Sequence, residues 1–579
     1  MRTDEGPLAS RTFLALLGIS LLALLLRVVS LGGRVMHWDE GRVGYWILRY
    51  QETGIHSYRP IVHGPFLPIV NDYLFAVIPA SDFAARLPVA VVGGLLPLAA
   101  WLFRDYLDDD EVVALGALFA LNPLLVYYSR FMRNDVLVAA FSVVALGFLL
   151  RLLVTRRLSY LVGAGASMGL AFTTKENALL YVLCFLGAGA LLLDHRLVRE
   201  ARAGTRLSDV FAETWPTAAY RWVRGEEGTF ERGLARVGLA AVGALAAFFV
   251  VVVFFYAPRP DLWTALSNPA SLPGVVEAGT VEPAERLYGT WIDGGHQDNP
   301  YLPFLHDYLE TLVYGAPVVL VFGLVGSVVD RYSPADPGFR PLVAFAVYWG
   351  LASVVGYPLA TDIEAPWAVV HAVVPFAIPA AVGLAFAFRA GLDALGDDDR
   401  VSTGLAALVL LAALGGTMGA NAAYWNSTEE ADKAVLQWAQ PGNDLRESVV
   451  EMRAVVEANE GTDVLFYGTT TPGGDSVELY VSDESSADTP PPGGPAWHSR
   501  LPLPWYLELS DAEVTSTAPE TPPEEALADA PPVVVAHDWD RSEVEPHLDG
   551  YTAREHAFKL WGEHIVVFVD QDALRRATS

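Results

Sequence analysis

The chain has 579 residues, 53% of them hydrophobic and only 18% charged, against about 25% charged in an ordinary soluble domain. Its net charge of −29 argues against a nucleic-acid binder, because phosphates need a basic face. The lone cysteine, Cys184, excludes an internal disulfide framework and a cysteine-based metal site.

The apolar residues concentrate before about residue 425, in runs close to the length that crosses ~30 Å of hydrocarbon. In chain order, eleven spans are predicted: 13–31, 83–103, 112–128, 136–153, 160–173, 178–193, 237–257, 309–329, 342–359, 368–388 and 403–424. The first resembles a signal peptide, but its run is too long and it lacks a cleavage site, so it reads as a membrane helix. The stretch 64–80 is apolar yet carries Pro65, Pro68, Asn71 and Asp72. Kinked, polar backbone at membrane depth has to be covered by protein, so a broken or interfacial helix is predicted there. Residues 426–579 form a separate tail, with short β-branched runs at 463–467, 476–481, 532–537 and 564–570, a helical region over 433–459 and a Pro/Gly linker at 489–495. From residue 425 on there are 30 Asp and Glu against 9 Lys and Arg, so the tail carries −21 of the −29. The fold class is thus a polytopic α-helical membrane protein, with a membrane domain over 1–425 and an acidic α/β domain over 426–579.

Arginine asymmetry sets the expected orientation. With a cytoplasmic N-terminus, the inside loops hold Arg151, Arg156 and Arg157, eight arginines from Arg196 to Arg236, and Arg331, Arg340, Arg389 and Arg400. An odd number of spans then places the tail outside, with the sequon Asn426-Ser427-Thr428 at its start. Five polar clusters fall on that same outer side, and this suggests one shared cavity there.

In chain order the first cluster is His37-Trp38-Asp39-Glu40, two adjacent carboxylates close to a membrane surface, where charge is costly unless solvated or used. A carboxylate there can act as general base; an ordinary acidic loop would read the same way. His63-Gly64-Pro65 follows, with a histidine able to bind a metal or a phosphate oxygen, or simply to end a loop. Next, Arg130 and Arg133, three residues apart with Asp135 behind them, suit a phosphate or pyrophosphate, or lipid-headgroup snorkelling. Lys175, beside Glu176 and Asn177, is the only lysine in the first 424 residues of a chain with 35 arginines and 3 lysines, which points to a specific contact or a structural ion pair. The last cluster is Asp362-Ile363-Glu364-Ala365-Pro366-Trp367, with His371 one turn into the next span. A divalent metal could be held by Glu40, His63 and His37, but no cofactor is required.

These residues, in this order, resemble the GT-C superfamily of polyprenyl-phosphate-sugar-dependent glycosyltransferases, and within it protein O-mannosyltransferases, the aminoarabinose transferase of lipid A and a haloarchaeal family labelled flippase-activity-associated. The resemblance runs over residues 13–424 and rests on Asp39-Glu40, His63-Gly64-Pro65, Ser129-Arg130 to Asp135, and Lys175. It implies Asp39 as general base or acceptor-orienting carboxylate, and His63, Arg130, Arg133 and Lys175 as contacts to the lipid phosphate or a metal; Glu40 is the second catalytic candidate. Asp135, Glu176 and Glu364 complete the expected substrate-binding set. The expected reaction moves a sugar from a polyprenyl-phosphate donor to an acceptor glycan, lipid or protein by inverting displacement. A lipid-linked-glycan flippase, or its accessory protein, would bind the same headgroup without chemistry. A solute transporter fits less well, because the charges gather at one membrane face.

Overall fold

The computed structural model describes residues 10–59, 63–175, 178–202, 204–225, 228–291, 300–332, 340–361, 364–437, 439–485 and 492–579. In chain order its principal helices are α1 (Arg11–Val28), α2 (Trp38–Thr53), α3 (Phe66–Phe75), α4 (Asp82–Leu95, continuing as a 3-10 turn through Phe103), α5 (Asp109–Leu121), α6 (Pro123–Tyr128), α7 (Asp135–Thr155), α8 (Ser159–Thr174), α9 (Ala178–Arg202), α10 (Phe230–Tyr256), α11 (Tyr301–Gly315), α12 (Pro317–Tyr332), α13 (Pro341–Ala360), α14 (Val370–Gly396) and α15 (Arg400–Tyr424). Each of the eleven predicted spans falls on one of these helices or on a consecutive pair. Among the described residues, eight helices are long and apolar enough to cross a membrane, or nine if α11 and α12 form one span.

Two predicted spans are interrupted, and proline explains both. Pro123 has no N–H to continue the helix. Asn122 instead turns its side chain to accept from the Leu125 amide at 3.1 Å and starts α6 afresh. The Leu121 carbonyl left over by the break accepts from Asn421 Nδ2 at 2.8 Å. At Pro317 the chain bends by 92° between α11 and α12. The predicted interfacial stretch begins with α3, a ten-residue apolar helix. Where helices press together they meet at glycine: a Cβ on Gly326 would overlap the Pro379 carbonyl, and one on Gly383 the Phe322 carbonyl. Small residues allow this close approach where water supplies no driving force.

The chain divides into two compact units. The first comprises Met1–Val29, Ser57–Leu67 and Val89–Trp425. The second comprises Asn426–Ser579 together with Ser30–His56 and Pro68–Pro88, so it is wider than the C-terminal tail. Its strands are β1 (Val464–Phe466), β2 (Thr469–Thr470), β3 (Val477–Glu478), β4 (Val514–Ser516), β5 (Val533–His537), β6 (Tyr551–Ala557) and β7 (His564–Asp570). Five of them form a mixed sheet in the order β4-β1-β5-β7-β6, parallel across β4-β1-β5 and antiparallel beyond, and β2 pairs with β3. The β5 and β7 runs Val533–His537 and His564–Asp570 are central strands, buried on both faces apart from the ends of β7, as their unbroken β-branched sequence requires. Val35 joins the apolar core on one face of this sheet, and Tyr45 packs with Val481, Trp497 and Leu501. Asp82 accepts from Trp505 Nε1 at 2.9 Å and from the Tyr506 hydroxyl at 3.0 Å. The segment that follows α1 is thereby part of the same folded body as the tail.

Candidate functional site

In the first unit, four of the five polar clusters converge. Asp135 is the first residue of α7, where the helix dipole favours a carboxylate. Lys175 closes α8 in an extended conformation, after Thr173 and Thr174 have returned their hydroxyls to the Leu170 and Ala171 carbonyls. This turns the ammonium onto Asp135, with Nζ 2.8 Å from Oδ1. Arg133 Nε lies 3.5 Å from Asp135 Oδ2, and its guanidinium stacks on Trp367 at 3.6 Å. His371 brings Nε2 to 3.6 Å from Asp135 Oδ1. The other ring nitrogen, Nδ1, meets the Tyr181 hydroxyl at 2.7 Å, and Tyr357 stacks on the ring at 4.4 Å. Arg133, Asp135, Lys175 and His371 are all buried. His63 adopts a left-handed conformation, φ 70°, which is uncommon for a residue with a Cβ. The next residue, Gly64, donates its amide to the Thr174 carbonyl at 2.9 Å, and a Cβ there would overlap the Thr173 carbonyl. The His-Gly element is thus pinned to the turn that presents Lys175.

Two further expected contacts make interactions of their own. Arg130 directs Nη1 at the Leu26, Arg27 and Val29 carbonyls, 2.7–3.3 Å away, and stacks over Trp425 at 4.1 Å. It covers the carbonyls at the end of α1. Glu364 hydrogen-bonds Asp307, and burial together with that neighbouring carboxylate pushes its carboxyl up to about 7. Glu176, Asn177, Asp362 and Ile363 lie outside the described residues.

In the second unit the adjacent carboxylates Asp39 and Glu40 diverge. His37 caps α2: its Nδ1 accepts from the Asp39 amide at 3.1 Å, and Glu40 Oε2 accepts from the His37 amide at 2.9 Å. This is a capping box with histidine in the cap position. The Glu40 carboxylate also receives two hydrogen bonds from Arg86, at 2.8 and 2.7 Å. Both side chains of the pair are 0% exposed. Burial alone would raise the Glu40 carboxyl, but the Arg86 charge and hydrogen bonds, with Arg34 and the His37 amide, hold it down at about 2. Asp39 is partly exposed, its side chain at 29%. Of the expected metal ligands, Glu40 and His37 belong to this unit and His63 to the first, and a cation at Glu40 would have to displace a guanidinium.

His371 is the histidine that follows the last sequence cluster, whereas Arg86, Tyr181 and Tyr357 belong to none of the five. A signal was available for Arg86, since an ionisable residue inside an apolar span is expensive unless partnered. For the two tyrosines there was none.

Residues 62–205 match the family profile described as dolichyl-phosphate-mannose-protein mannosyltransferase, a stretch that contains His63, Arg133, Asp135 and Lys175. The crystal structure of ArnT from Cupriavidus metallidurans in the apo state superposes with a TM-score of 0.55 at 15% identity, covering 96% of this chain and 98% of that one. The same protein bound to undecaprenyl phosphate gives 0.52 at 16%, covering 95% and 97%. The apo oligosaccharyltransferase of Archaeoglobus fulgidus gives 0.48 at 14%, covering 96% and 75%. A search of curated proteins returns no match. The fold is therefore shared with ArnT over nearly the whole chain, and the mannosyltransferase profile matches about a quarter of it. Residues 445–570 match the profile described as the Agl23 flippase-associated protein C-terminal domain.

Proposed function

We propose that this multipass membrane protein transfers a sugar from a polyprenyl-phosphate-linked donor to an acceptor on the outer face of the membrane, in cell-surface glycan or protein glycosylation. The observation that carries the reading is the buried set Arg133, Asp135, Lys175 and His371. Asp135 takes up one of the three ammonium donors of Lys175 and one of the five guanidinium donors of Arg133. It thereby orients two cations of the kind that bind phosphate oxygens. In the proposed reaction the acceptor hydroxyl attacks the anomeric carbon, the carbon–oxygen bond to phosphate breaks, and Asp39 takes the hydroxyl proton. Lys175 and Arg133 stabilise the charge on the departing polyprenyl phosphate. Inversion follows from the single displacement, and no step uses a metal. Glu40, held by Arg86, is a positioning residue that sets the start of α2 and hence Asp39. The N-terminus is cytoplasmic and residues 426–579 are extracytoplasmic in this reading.

The test uses the purified full chain and a polyprenyl-phosphate-linked sugar. Asp39→Asn is expected to lower transfer by ~10²–10⁴-fold with little change in donor binding. Turnover within about twofold of the unsubstituted protein would retire the general-base role. The match of residues 445–570 to a flippase-associated domain favours a second reading, a flippase or accessory protein that binds the headgroup without chemistry. Asp39→Asn would then leave glycan transfer intact, while Arg133 and Lys175 substitutions would still weaken headgroup binding.

A further inference from the structure

The second unit contains a cavity of about 540 Å³, lined among others by Trp38, Glu478, Tyr480, His498, Lys559 and Glu563. The residues come from three separate stretches of chain: the start of α2, the β3 region with the turn before residue 500, and the loop joining β6 to β7. Its size is within the ordinary range of small-molecule sites. Its composition is particular. Trp38 is held by donating its indole N–H to the His498 carbonyl at 3.1 Å, with Arg42 5.6 Å from its ring centroid. Tyr480 adds a second aromatic side chain. Lys559 Nζ and Glu563 Oε1 pair at 2.7 Å, which holds an ammonium and a carboxylate side by side in the lining. Burial raises the Glu478 carboxyl, and burial with the Arg42 charge pushes His498 down to about 4, so this imidazole is neutral at pH 7 and can donate or accept.

Aromatic side chains in one lining with hydrogen-bonding carboxylates, an ammonium and hydroxyls match a ligand with an apolar C–H face and a rim of hydroxyl groups. A pyranose is such a ligand. An anionic ligand is disfavoured, because two carboxylates stand against one ammonium in a unit whose residues from 425 on carry −21. A lipid chain is disfavoured by the polar lining. We infer that this cavity is a saccharide-binding site that takes a neutral pyranose of the acceptor. Trp38 directly precedes Asp39, the residue proposed as base, in α2. The inference rests on the transferase reading, and it narrows the acceptor from glycan, lipid or protein to a molecule that presents a pyranose.

The test reads binding rather than turnover. The full chain is placed in nanodiscs made without glycolipid or sugar detergent, and saturation-transfer NMR is recorded with methyl α-mannopyranoside, mannobiose and cellobiose. Saturation of at least one saccharide is expected. Glu478→Gln and Tyr480→Ala are expected to weaken it by about tenfold, the scale of one lost charge-assisted hydrogen bond or stacking contact. Ser476→Trp alters an exposed lining residue and should block the cavity without disturbing a core. Donor binding should be unchanged in all three variants. No saturation of any of the three probes, or full saturation in Ser476→Trp and Glu478→Gln alike, overturns the inference. So does saturation transfer to choline with none to any saccharide, which would make the cavity a cation site. Loss of this binding with sugar transfer to solvent or to a simple alcohol retained would leave the transferase reading standing, whereas loss of transfer with saccharide binding intact would count against that reading alone.

Discussion

Replacing Glu40 by Gln tests how the adjacent carboxylates divide their work. Gln keeps the size and one acceptor oxygen but removes the charge facing Arg86, in a pair whose two side chains are 0% exposed. Leaving one member of such a pair buried and uncompensated costs ~3–5 kcal/mol. The titration of Glu40 leads to a similar figure. A carboxyl lowered from 4.5 to about 2 corresponds to ~3 kcal/mol at neutral pH, since each pKa unit is worth about 1.4 kcal/mol. For a folded body of this size, the loss shifts Tm by on the order of 10 °C. The assay is thermal unfolding of the full chain in detergent, comparing the unsubstituted protein, Glu40→Gln and Glu40→Gln with Arg86→Met. The double variant is expected to recover part of the loss, because removing both partners leaves no buried charge. The folded-state pKa lies below the unfolded one, so the contribution is complete above about pH 4.5 and is lost as pH falls toward about 2. A Tm within ~2 °C of the unsubstituted protein, accompanied by lost turnover, would refute the structural assignment and make Glu40 a catalytic group.

Lys175→Ala is expected to weaken donor binding before turnover, by ~10–100-fold in Kd, because a charge-assisted phosphate contact is worth ~1.5–3 kcal/mol; equilibrium binding of polyprenyl phosphate reads this directly. Glycosylation or cysteine-labelling reporters in the 195–236 loop should report the cytoplasm and reporters in 426–579 the outside, and the reverse pattern would remove the outer-face reading. A fragment spanning 430–579 should show no transferase activity. It should also unfold at a lower temperature than the second unit does in the full chain, because it lacks Val35, Tyr45 and the Asp82 partner of Trp505 and Tyr506; equal stability would mean that these contacts contribute little.

The sequence by itself determined the membrane character and the helical segments. Apolar runs need the length of a bilayer whatever they pack against, so each predicted span reappears as a helix or a helix pair. Lys175 and Asp135 were recognisable because a charge at the end of an apolar run is costly without a use. Which charges meet was a different matter. Asp135 faces Lys175 forty positions on and His371 at the head of a distant helix, and Glu40 pairs with Arg86 forty-six positions on. Nothing in local spacing distinguishes Asp39 from Glu40; only the α2 capping geometry, which turns one inward and leaves the other half-buried, separates them. The tertiary structure also decided that Ser30–His56 and Pro68–Pro88 fold with the tail. Their buried partners, among them Trp505, Tyr506 and Trp497, lie more than 400 residues away in the chain, and contacts of that kind leave no period in the sequence to read.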